Sequence, residues 1–107
     1  MTDPIAARGD VWFATIEGDK RRPVLVLSRD PMGELLHSVI CAPITSTHRG
    51  LSTEVSLGVE AGLANDSVAN FDNTMLVSRG SLIRRIGRAT DDTMRAACVA
   101  LAKATGC

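Results

Sequence analysis

Three basic side chains precede the most apolar run of this 107-residue sequence. They are Lys20, Arg21 and Arg22, and Pro23 opens the run PVLVLS over residues 23–28. Because such a run is typical of a strand buried on both faces, and proline fixes one backbone dihedral, we expect Arg22 to be held at the edge of a rigid element. A guanidinium presents a planar fork of five donors that suits a phosphate. Charge runs are usually solvated loops, so it is the position of Arg22 that favours phosphate binding.

Three hydroxyl side chains follow a second strand-like run, SVICAPI, over residues 38–44. They belong to Thr45, Ser46 and Thr47. Hydroxyl groups at the end of a strand can turn the chain, contact a phosphate, or do both. Taken alone, these three residues are more typical of a turn.

Two other polar groups interrupt apolar segments. Asp72 and Asn73 lie inside an apolar run, where they would form a turn or bulge or present hydrogen-bonding groups to a base edge. Arg84, Arg85 and Arg88 form a second basic group, which would either extend a phosphate-binding face or keep that face solvated.

The sequence predicts neither a metal site nor a cofactor. His37 and His48 have no ligand partner at metal-binding spacing, and Cys41, Cys98 and Cys107 are far apart with no CxxC pair. No Walker loop, GxGxxG or GxSxG motif occurs. The odd, scattered cysteines favour a reducing cytoplasm over a disulfide framework.

Composition narrows the function classes further. The 45% hydrophobic and 22% charged residues are usual for a globular chain, and they argue against wholesale disorder. Twelve basic and twelve acidic residues cancel, so only a local basic patch would favour a nucleic acid. Aromatic residues make up 3%, too few for a protein that binds bases mainly by stacking. The first residues lack a signal-peptide pattern, and no run of about 18 apolar residues predicts a membrane span.

The elements that must position these residues are short strands followed by a helix. We expect one domain over residues 1–107, with a loose N-terminus over residues 1–7 and an exposed loop over residues 17–22. Strands are predicted over residues 11–16, 23–28, 38–44, 53–57, a broken 68–77, and 83–89, with a turn at 30–33 and one helical turn at 78–82.

The C-terminal helix is the clearest element, predicted over residues 90–105. Thr90 is a suitable N-cap, and Asp91 and Asp92 follow in the first turn, where carboxylates favour the helix dipole. Apolar residues recur at helical spacing from Met94 to Leu101, and Gly106 lies where a C-cap belongs. The fold class is therefore mainly β with a C-terminal α-helix, arranged as a small antiparallel barrel.

Four segments carry a family resemblance when they are taken together in order. They are RGDVWFA at 8–14, RRPVLVLS at 21–28, VICAPITS at 39–46, and SLIRRIGRAT at 81–90 followed by the capped helix. The chain resembles the MazF/PemK (Kid-like) toxin endoribonucleases of prokaryotic type II toxin–antitoxin pairs, from about Arg8 to Leu101. RGD also spells an integrin-recognition tripeptide, which we take as coincidence.

The resemblance implies a Src-homology-3-like barrel, shared with the CcdB toxins, in a cytoplasmic homodimer. It implies sequence-specific, metal-independent cleavage of single-stranded RNA, an mRNA interferase activity. The 2′-hydroxyl attacks the adjacent phosphate and leaves a 2′,3′-cyclic phosphate and a 5′-hydroxyl. A cognate antitoxin would block the RNA groove with an acidic, flexible segment.

The family pattern assigns catalysis to Arg22 and Thr45. Since a guanidinium stays protonated at neutral pH, Arg22 is a poor general base; we assign it phosphate stabilisation and proton donation to the leaving oxygen, and the general base stays unassigned. RNA contacts are expected from the residues around this pair: Lys20, Arg21, Ser46, Thr47, Asp72 and Asn73.

The sequence departs from the family at one strand. Where members often carry D/E-Q-x-R-T, residues 72–76 read Asp-Asn-Thr-Met-Leu, so Met75 replaces an arginine. The predicted loop before Arg22 is also short. A catalytically weak, antitoxin-binding module therefore stays open as an alternative. A CcdB-like gyrase-binding toxin is the other, although Arg22, Thr45 and the Ala-Thr-Gly-Cys terminus argue against it.

Overall fold

An antiparallel sheet and a C-terminal helix make up the part of the chain that the computed structural model describes, residues 3–16, 18 and 20–107. The strands within this part are β1 (Asp10–Ile16), β2 (Lys20–Val26), β3 (Ser38–Thr45), β4 (Glu54–Leu57), β5 (Ser67–Asn70), β6 (Met75–Ser78) and β7 (Leu82–Arg88). The helices are α1 (Met32–Leu35) and α2 (Asp91–Thr105), and short 3₁₀ turns lie at Val59–Ala61, Phe71–Asn73 and Arg79–Ser81.

The predicted fold class, mainly β with a C-terminal helix, is confirmed. The broken strand predicted over 68–77 is two strands, β5 and β6, on either side of a 3₁₀ turn. The predicted exposed loop over 17–22 is shorter than expected, because β2 already begins at Lys20. Residues 17 and 19 of that loop lie outside the described residues.

The sheet does not close into the expected barrel. Its strands follow the order β4-β5-β3-β2-β1-β7, with β6 paired to β3 off this path, so that β4 and β7 are the two ends. Between the ends, the 3₁₀ turn at 59–61 packs directly on β7. A side chain at Gly87 would collide with the carbonyl oxygen of Ala61, and one at Gly62 would lie 2.5 Å from that of Ile86. Close backbone packing thus occupies the place where a closing ladder would run.

Strand β3 joins the parts of the sheet. One of its edges pairs with β2 over residues 41–43. Its other edge pairs with β6 over residues 38–41 and with β5 over residues 44–45. The C-terminal end of β3, where the hydroxyl cluster begins, therefore lies between β2 and β5.

Apolar side chains form a cluster on each face of the sheet. Strand β2 contributes to both, as the apolar run predicts: Leu25 belongs to the first cluster, and Val24 and Val26 belong to the second. Helix α2 covers the first cluster with Ala97 and Ala100. Because Val24, Leu25 and Val26 are buried, the strand that carries Arg22 is anchored to the core at its C-terminal half.

The predicted caps of the C-terminal helix are present. The Thr90 hydroxyl accepts a hydrogen bond from the Thr93 N–H, and Gly106 adopts the left-handed conformation at φ 75°. Within the described residues, no helix is long and apolar enough to cross a membrane.

Residues 3–7 pack on the body of the domain, although the sequence predicts a loose terminus over 1–7; residues 1 and 2 lie outside the described residues. Ala6 is buried, and its N–H donates to the Gly33 carbonyl oxygen at 3.3 Å. The Arg79 guanidinium donates to the carbonyl oxygens of Pro4 at 2.7 Å and Asp3 at 3.1 Å.

Candidate active site

The register of β2 and β3 brings Arg22 to Thr45. Their ladder ends with Val24 opposite Pro43, and the same register extended by two residues places Arg22 opposite Thr45. Arg22 is also paired with Ala14 of β1, so the neighbouring strand holds its backbone. The arginine and the hydroxyl thus emerge at one corner of the sheet.

Two cavities meet at this corner and form a cleft. The first encloses about 480 Å³ and the second about 300 Å³, and both are lined by Arg22, Ile44 and Thr45. A volume of about 300–1,000 Å³ is usual for a ligand site. Arg22 is exposed and Thr45 half-buried, so both side chains are accessible to a ligand in the cleft.

Most of the predicted contact residues also line the cleft. Lys20, Arg21 and Ser46 line the first cavity, while Thr47 and Asn73 line the second. These residues come from the start of β2, the end of β3 and the turn after β5, which are distant in sequence. The structure therefore gathers hydrogen-bond donors and positive charge around Arg22 and Thr45.

Asp72 is the predicted contact residue that lines neither cavity. Its carboxylate accepts a hydrogen bond from the Thr53 hydroxyl at 2.6 Å, and its N–H donates to the Asn70 side chain at 3.0 Å. These contacts belong to the turn that carries Asn73 toward the cleft. The turn interpretation of this segment thus describes Asp72 better than a base-edge contact does.

Thr45 both turns the chain and faces the cleft. Its hydroxyl oxygen accepts a hydrogen bond from the Thr47 N–H at 3.2 Å. That bond uses an oxygen lone pair and leaves the hydroxyl proton available to a ligand. Within the described part of the chain, no ion pair involves Arg22, so its donors are available too.

Glu54 and Arg49 are cleft residues that the sequence does not single out. Both line the second cavity. The Glu54 carboxylate accepts hydrogen bonds from the Arg49 N–H at 3.1 and 3.3 Å and from the Leu51 N–H at 3.2 Å. Glu54 thereby holds the loop after Thr45 against the cleft. No local motif marks it, because its partners are set by how the loop folds back.

Two of the three arginines in the second basic group bind a buried carboxylate. Arg85 and Arg88 donate to one oxygen of the Asp10 carboxylate at 3.1 and 3.2 Å. Asp10 is 4% exposed and also accepts from the Ala7 N–H and the Trp12 indole N–H. These two arginines thus neutralise a buried carboxylate, and Asp10 of the RGD segment is a structural residue.

Met75, at the position of the family arginine, contributes no charge to the cleft. It is half-buried and packs against the second apolar cluster, paired with Cys41 of β3. Burial raises the pKa of the Cys41 thiol to about 12.

Among the described residues, no three His, Cys, Asp or Glu side chains are grouped closely enough to hold a metal ion. His48 lines another cavity, together with Glu60 and Asp66.

Comparison with known proteins places the chain in a family. Residues 7–105 match the family of PemK-like, MazF-like toxins of type II toxin–antitoxin systems. The chain is 42% identical over 101 residues to a probable endoribonuclease MazF2 of Mycobacterium tuberculosis, covering 94% of this chain and 98% of that protein. It is also 42% identical to a probable endoribonuclease MazF5 of that species, over 96% of this chain and 95% of that protein.

Solved structures agree with the sequence relatives. The M. tuberculosis toxin MazF-mt6 superposes with a TM-score of 0.85 at 37% identity, covering 91% of this chain and 96% of that one. A mycobacterial endoribonuclease in complex with its cognate antitoxin has a TM-score of 0.85 at 29% identity, covering 94% and 95%. The chain therefore belongs to the PemK-like, MazF-like toxin family of type II toxin–antitoxin systems.

Proposed function

We propose that this chain is the toxin endoribonuclease of a toxin–antitoxin pair and that it cleaves single-stranded RNA in the cleft at Arg22 and Thr45. The observation that carries the proposal is that these two residues, 23 positions apart, line the same two cavities. The names of the 42% identical relatives, which are probable endoribonucleases, support the activity. We expect it to act in the cytoplasm.

The proposed reaction is an internal transfer of the phosphodiester. The ribose 2′-oxygen attacks the phosphorus while its proton leaves to a base, and the P–O5′ bond breaks. A proton delivered to O5′ gives a 5′-hydroxyl end, and the other end carries a 2′,3′-cyclic phosphate. Arg22 would bind the non-bridging oxygens and protonate O5′, and the Thr45 hydroxyl would donate to the same phosphate. Glu54 is poorly suited as the base, since its carboxylate already accepts from backbone N–H groups.

We propose that this reaction needs no metal ion. The charge that develops on the phosphorane is negative, and Arg22 supplies a fixed positive charge while Thr45 supplies a hydrogen bond. Such pre-positioned donors provide the stabilisation that a metal provides in other nucleases. Activity in the presence of a chelator tests this point directly.

Specificity for short RNA sequences would come from the walls of the cleft. We assign phosphate and base-edge contacts to Lys20, Arg21, Ser46, Thr47 and Asn73. Asp72 would act indirectly, by shaping the turn that presents Asn73. Base-edge hydrogen bonds carry sequence information, whereas lysine and arginine contacts to phosphates carry affinity.

The proposed protein partner is a cognate antitoxin with an acidic, flexible segment. Lys20, Arg21, Arg22 and Arg49 line the cleft, so a segment of aspartate and glutamate residues would compete with RNA for the same charges. A mycobacterial structure similar to this chain is a complex of an endoribonuclease with its cognate antitoxin, which supports this assignment.

We also propose that the toxin is a homodimer. Ile40 of β3 and Leu76 of β6 are direct cross-strand neighbours, and both are exposed, at 43% and 71%. A pair of exposed apolar residues at a sheet edge is suited to contact with a second copy of the chain.

The decisive experiment maps the 5′ ends of RNA fragments that the purified protein generates with EDTA present. We expect wild type to produce 5′-hydroxyl ends at a short recurring sequence, and Arg22→Ala to produce none while keeping its fold by circular dichroism. Arg29→Ala is the matched control, because Arg29 is exposed and lines neither cavity. Full activity of Arg22→Ala would disprove the mechanism. Gyrase inhibition without RNA cleavage would favour a CcdB-like toxin instead.

A further inference from the structure

Phe13 is the aromatic residue of this chain whose ring reaches the surface. Trp12 and Phe71 are buried, and the sequence contains no tyrosine. Phe13 is half-buried in β1, directly opposite Pro23 of β2 on one side and Arg84 of β7 on the other. The next residue of β1, Ala14, is the one paired with Arg22, so Phe13 lies one residue along the strand from that pair.

Arginine side chains flank this ring. The guanidinium carbon of Arg84 lies 5.3 Å from the centre of the Phe13 ring, within the range of a cation–π contact. Phe13 and Arg21 also line a small cavity of about 230 Å³ together with Ile83 and Arg84. We call Phe13, Arg21, Ile83 and Arg84 the aromatic subsite.

The aromatic subsite is continuous with the cleft. Phe13 and Arg21 line the first cavity as well, together with Arg22 and Thr45. A ligand whose phosphate lies between Arg22 and Thr45 thus has the Phe13 ring within the same cavity. The wall changes along this path from charged and hydroxylic at Thr45 to aromatic and aliphatic at Phe13 and Ile83.

We propose that the aromatic subsite binds one nucleobase of the RNA substrate, from a nucleotide next to the scissile linkage. The proposal rests on the proposed function, since it requires an RNA strand in the cleft. A flat base stacks on an aromatic ring and on a guanidinium plane, and the pair formed by Phe13 and Arg84 offers both surfaces. The contact would fix which phosphodiester is presented to Arg22.

A base fits this wall better than the other ligands of such a cleft. A phosphate gains nothing from the Phe13 ring or from Ile83, and it has Arg22 and Lys20 nearby. Acidic peptide side chains would pair with Arg21 and Arg84 and leave the ring uncovered. A base alone uses the ring, the guanidinium planes and the aliphatic surface together.

The test measures binding of an RNA that contains the mapped cleavage sequence and carries a 2′-O-methyl group at the cleaved nucleotide, which prevents attack. A second series replaces each neighbouring base in turn by an abasic nucleotide. We expect one abasic position to weaken binding to wild type roughly 5- to 150-fold, the usual worth of one stacked base. Phe13→Leu should weaken binding of the intact RNA by a comparable factor. The abasic nucleotide should then lower the affinity of this variant little further.

Three variants separate stacking from folding. Phe13→Trp should keep or improve affinity, because it retains an aromatic face. Arg84→Ala, at an exposed position, should weaken binding and reduce the abasic penalty, whereas Arg29→Ala should do neither. Thermal unfolding checks that each variant is folded, and Arg84→Ala still decides the question if Phe13→Leu unfolds.

The outcomes distinguish this proposal from the one on which it rests. If wild type cleaves RNA but the abasic penalty is the same in wild type, Phe13→Leu and Arg84→Ala, the base subsite is refuted and the nuclease stands. If Phe13→Leu and Arg84→Ala lose antitoxin binding but bind RNA as wild type does, the aromatic subsite belongs to the antitoxin and the base subsite is likewise refuted. If wild type cleaves no RNA, the proposed function itself fails.

Discussion

Arg22 and Thr45 occupy facing positions where β2 and β3 leave their shared ladder, two residues beyond the pair Val24–Pro43. Strand pairing, not a flexible loop, therefore fixes the separation of the two side chains. Sites built on strands hold their groups in place more accurately than sites on loops.

Replacing the Thr45 hydroxyl tests its proposed contact with the phosphate. We expect Thr45→Val to lower kcat roughly 10²- to 10³-fold with little change in KM, the usual loss for one donor to a developing oxyanion. Thr45→Ser keeps both the hydroxyl proton and the acceptor for the Thr47 N–H, so it should retain most of the activity. Undiminished turnover by Thr45→Val in single-turnover assays would remove Thr45 from the mechanism.

Glu54 should act on substrate binding by ordering the loop after Thr45. Its carboxylate holds the N–H groups of Arg49 and Leu51, so Glu54→Ala frees this wall of the cleft. We expect KM to rise roughly tenfold, corresponding to an ordering cost of about 1.4 kcal/mol, while kcat falls less. Glu60→Ala is the matched control, because Glu60 also accepts from a backbone N–H, that of Gly58, outside the cleft. Equal KM values for the two variants would contradict the assignment.

The buried Asp10 carboxylate should contribute to stability and not to catalysis. Asp10→Ala leaves the Trp12 indole N–H and Ala7 N–H without their acceptor and removes the shared partner of Arg85 and Arg88. We expect the free energy of unfolding to fall by about 2–4 kcal/mol. Asp92→Ala, which breaks an exposed ion pair with Arg95, should cost less than about 1 kcal/mol. Urea denaturation measures both, and similar values would show that the Asp10 network is not stabilising.

Cys41 should make stability depend on alkaline pH. The pKa of its thiol rises from 9.0 in the unfolded chain to about 12 in the fold because of burial. Between these values the unfolded chain loses the proton and the native protein keeps it. The free energy of unfolding should therefore fall by about 1.4 kcal/mol per pH unit above pH 9. Cys41→Ala should lack this part of the slope when both proteins are unfolded in urea at pH 8, 9 and 10; parallel slopes would show that the thiol does not contribute.

The proposed dimer can be tested at the sheet edge. Leu76→Glu places a charge opposite Ile40, where burial against a second chain would be unfavourable. We expect sedimentation equilibrium to give at least a roughly tenfold weaker association. Val59→Glu changes another exposed apolar residue, which is 74% exposed on a 3₁₀ turn, and should leave association unchanged. A dimer that tolerates Leu76→Glu but not Val59→Glu would place the interface at the 3₁₀ turn of Val59 instead.

Local chemistry made several elements predictable from the sequence. The C-terminal helix is set by its N-cap Thr90 and C-cap Gly106, whose hydrogen-bond partners lie within a few residues. The run over 23–28 identifies a strand buried on both faces by its composition alone. The strand limits predicted beside Pro23 and Ile44 singled out Arg22 and Thr45 before any contact was known, although in the structure Arg22 lies inside β2 and Thr45 is the last residue of β3.

The sequence by itself predicted the approximate positions of the strands, the C-terminal helix, the family resemblance and, as a hypothesis, the pairing of Arg22 with Thr45. The tertiary structure alone decided that Arg85 and Arg88 neutralise Asp10, that Arg84 lies on Phe13 and that the sheet stays open. The physical reason is the separation in sequence of the residues that make contact. Capping and strand propensity depend on neighbouring residues, whereas these contacts depend on strand register and close backbone packing between segments that no local pattern relates.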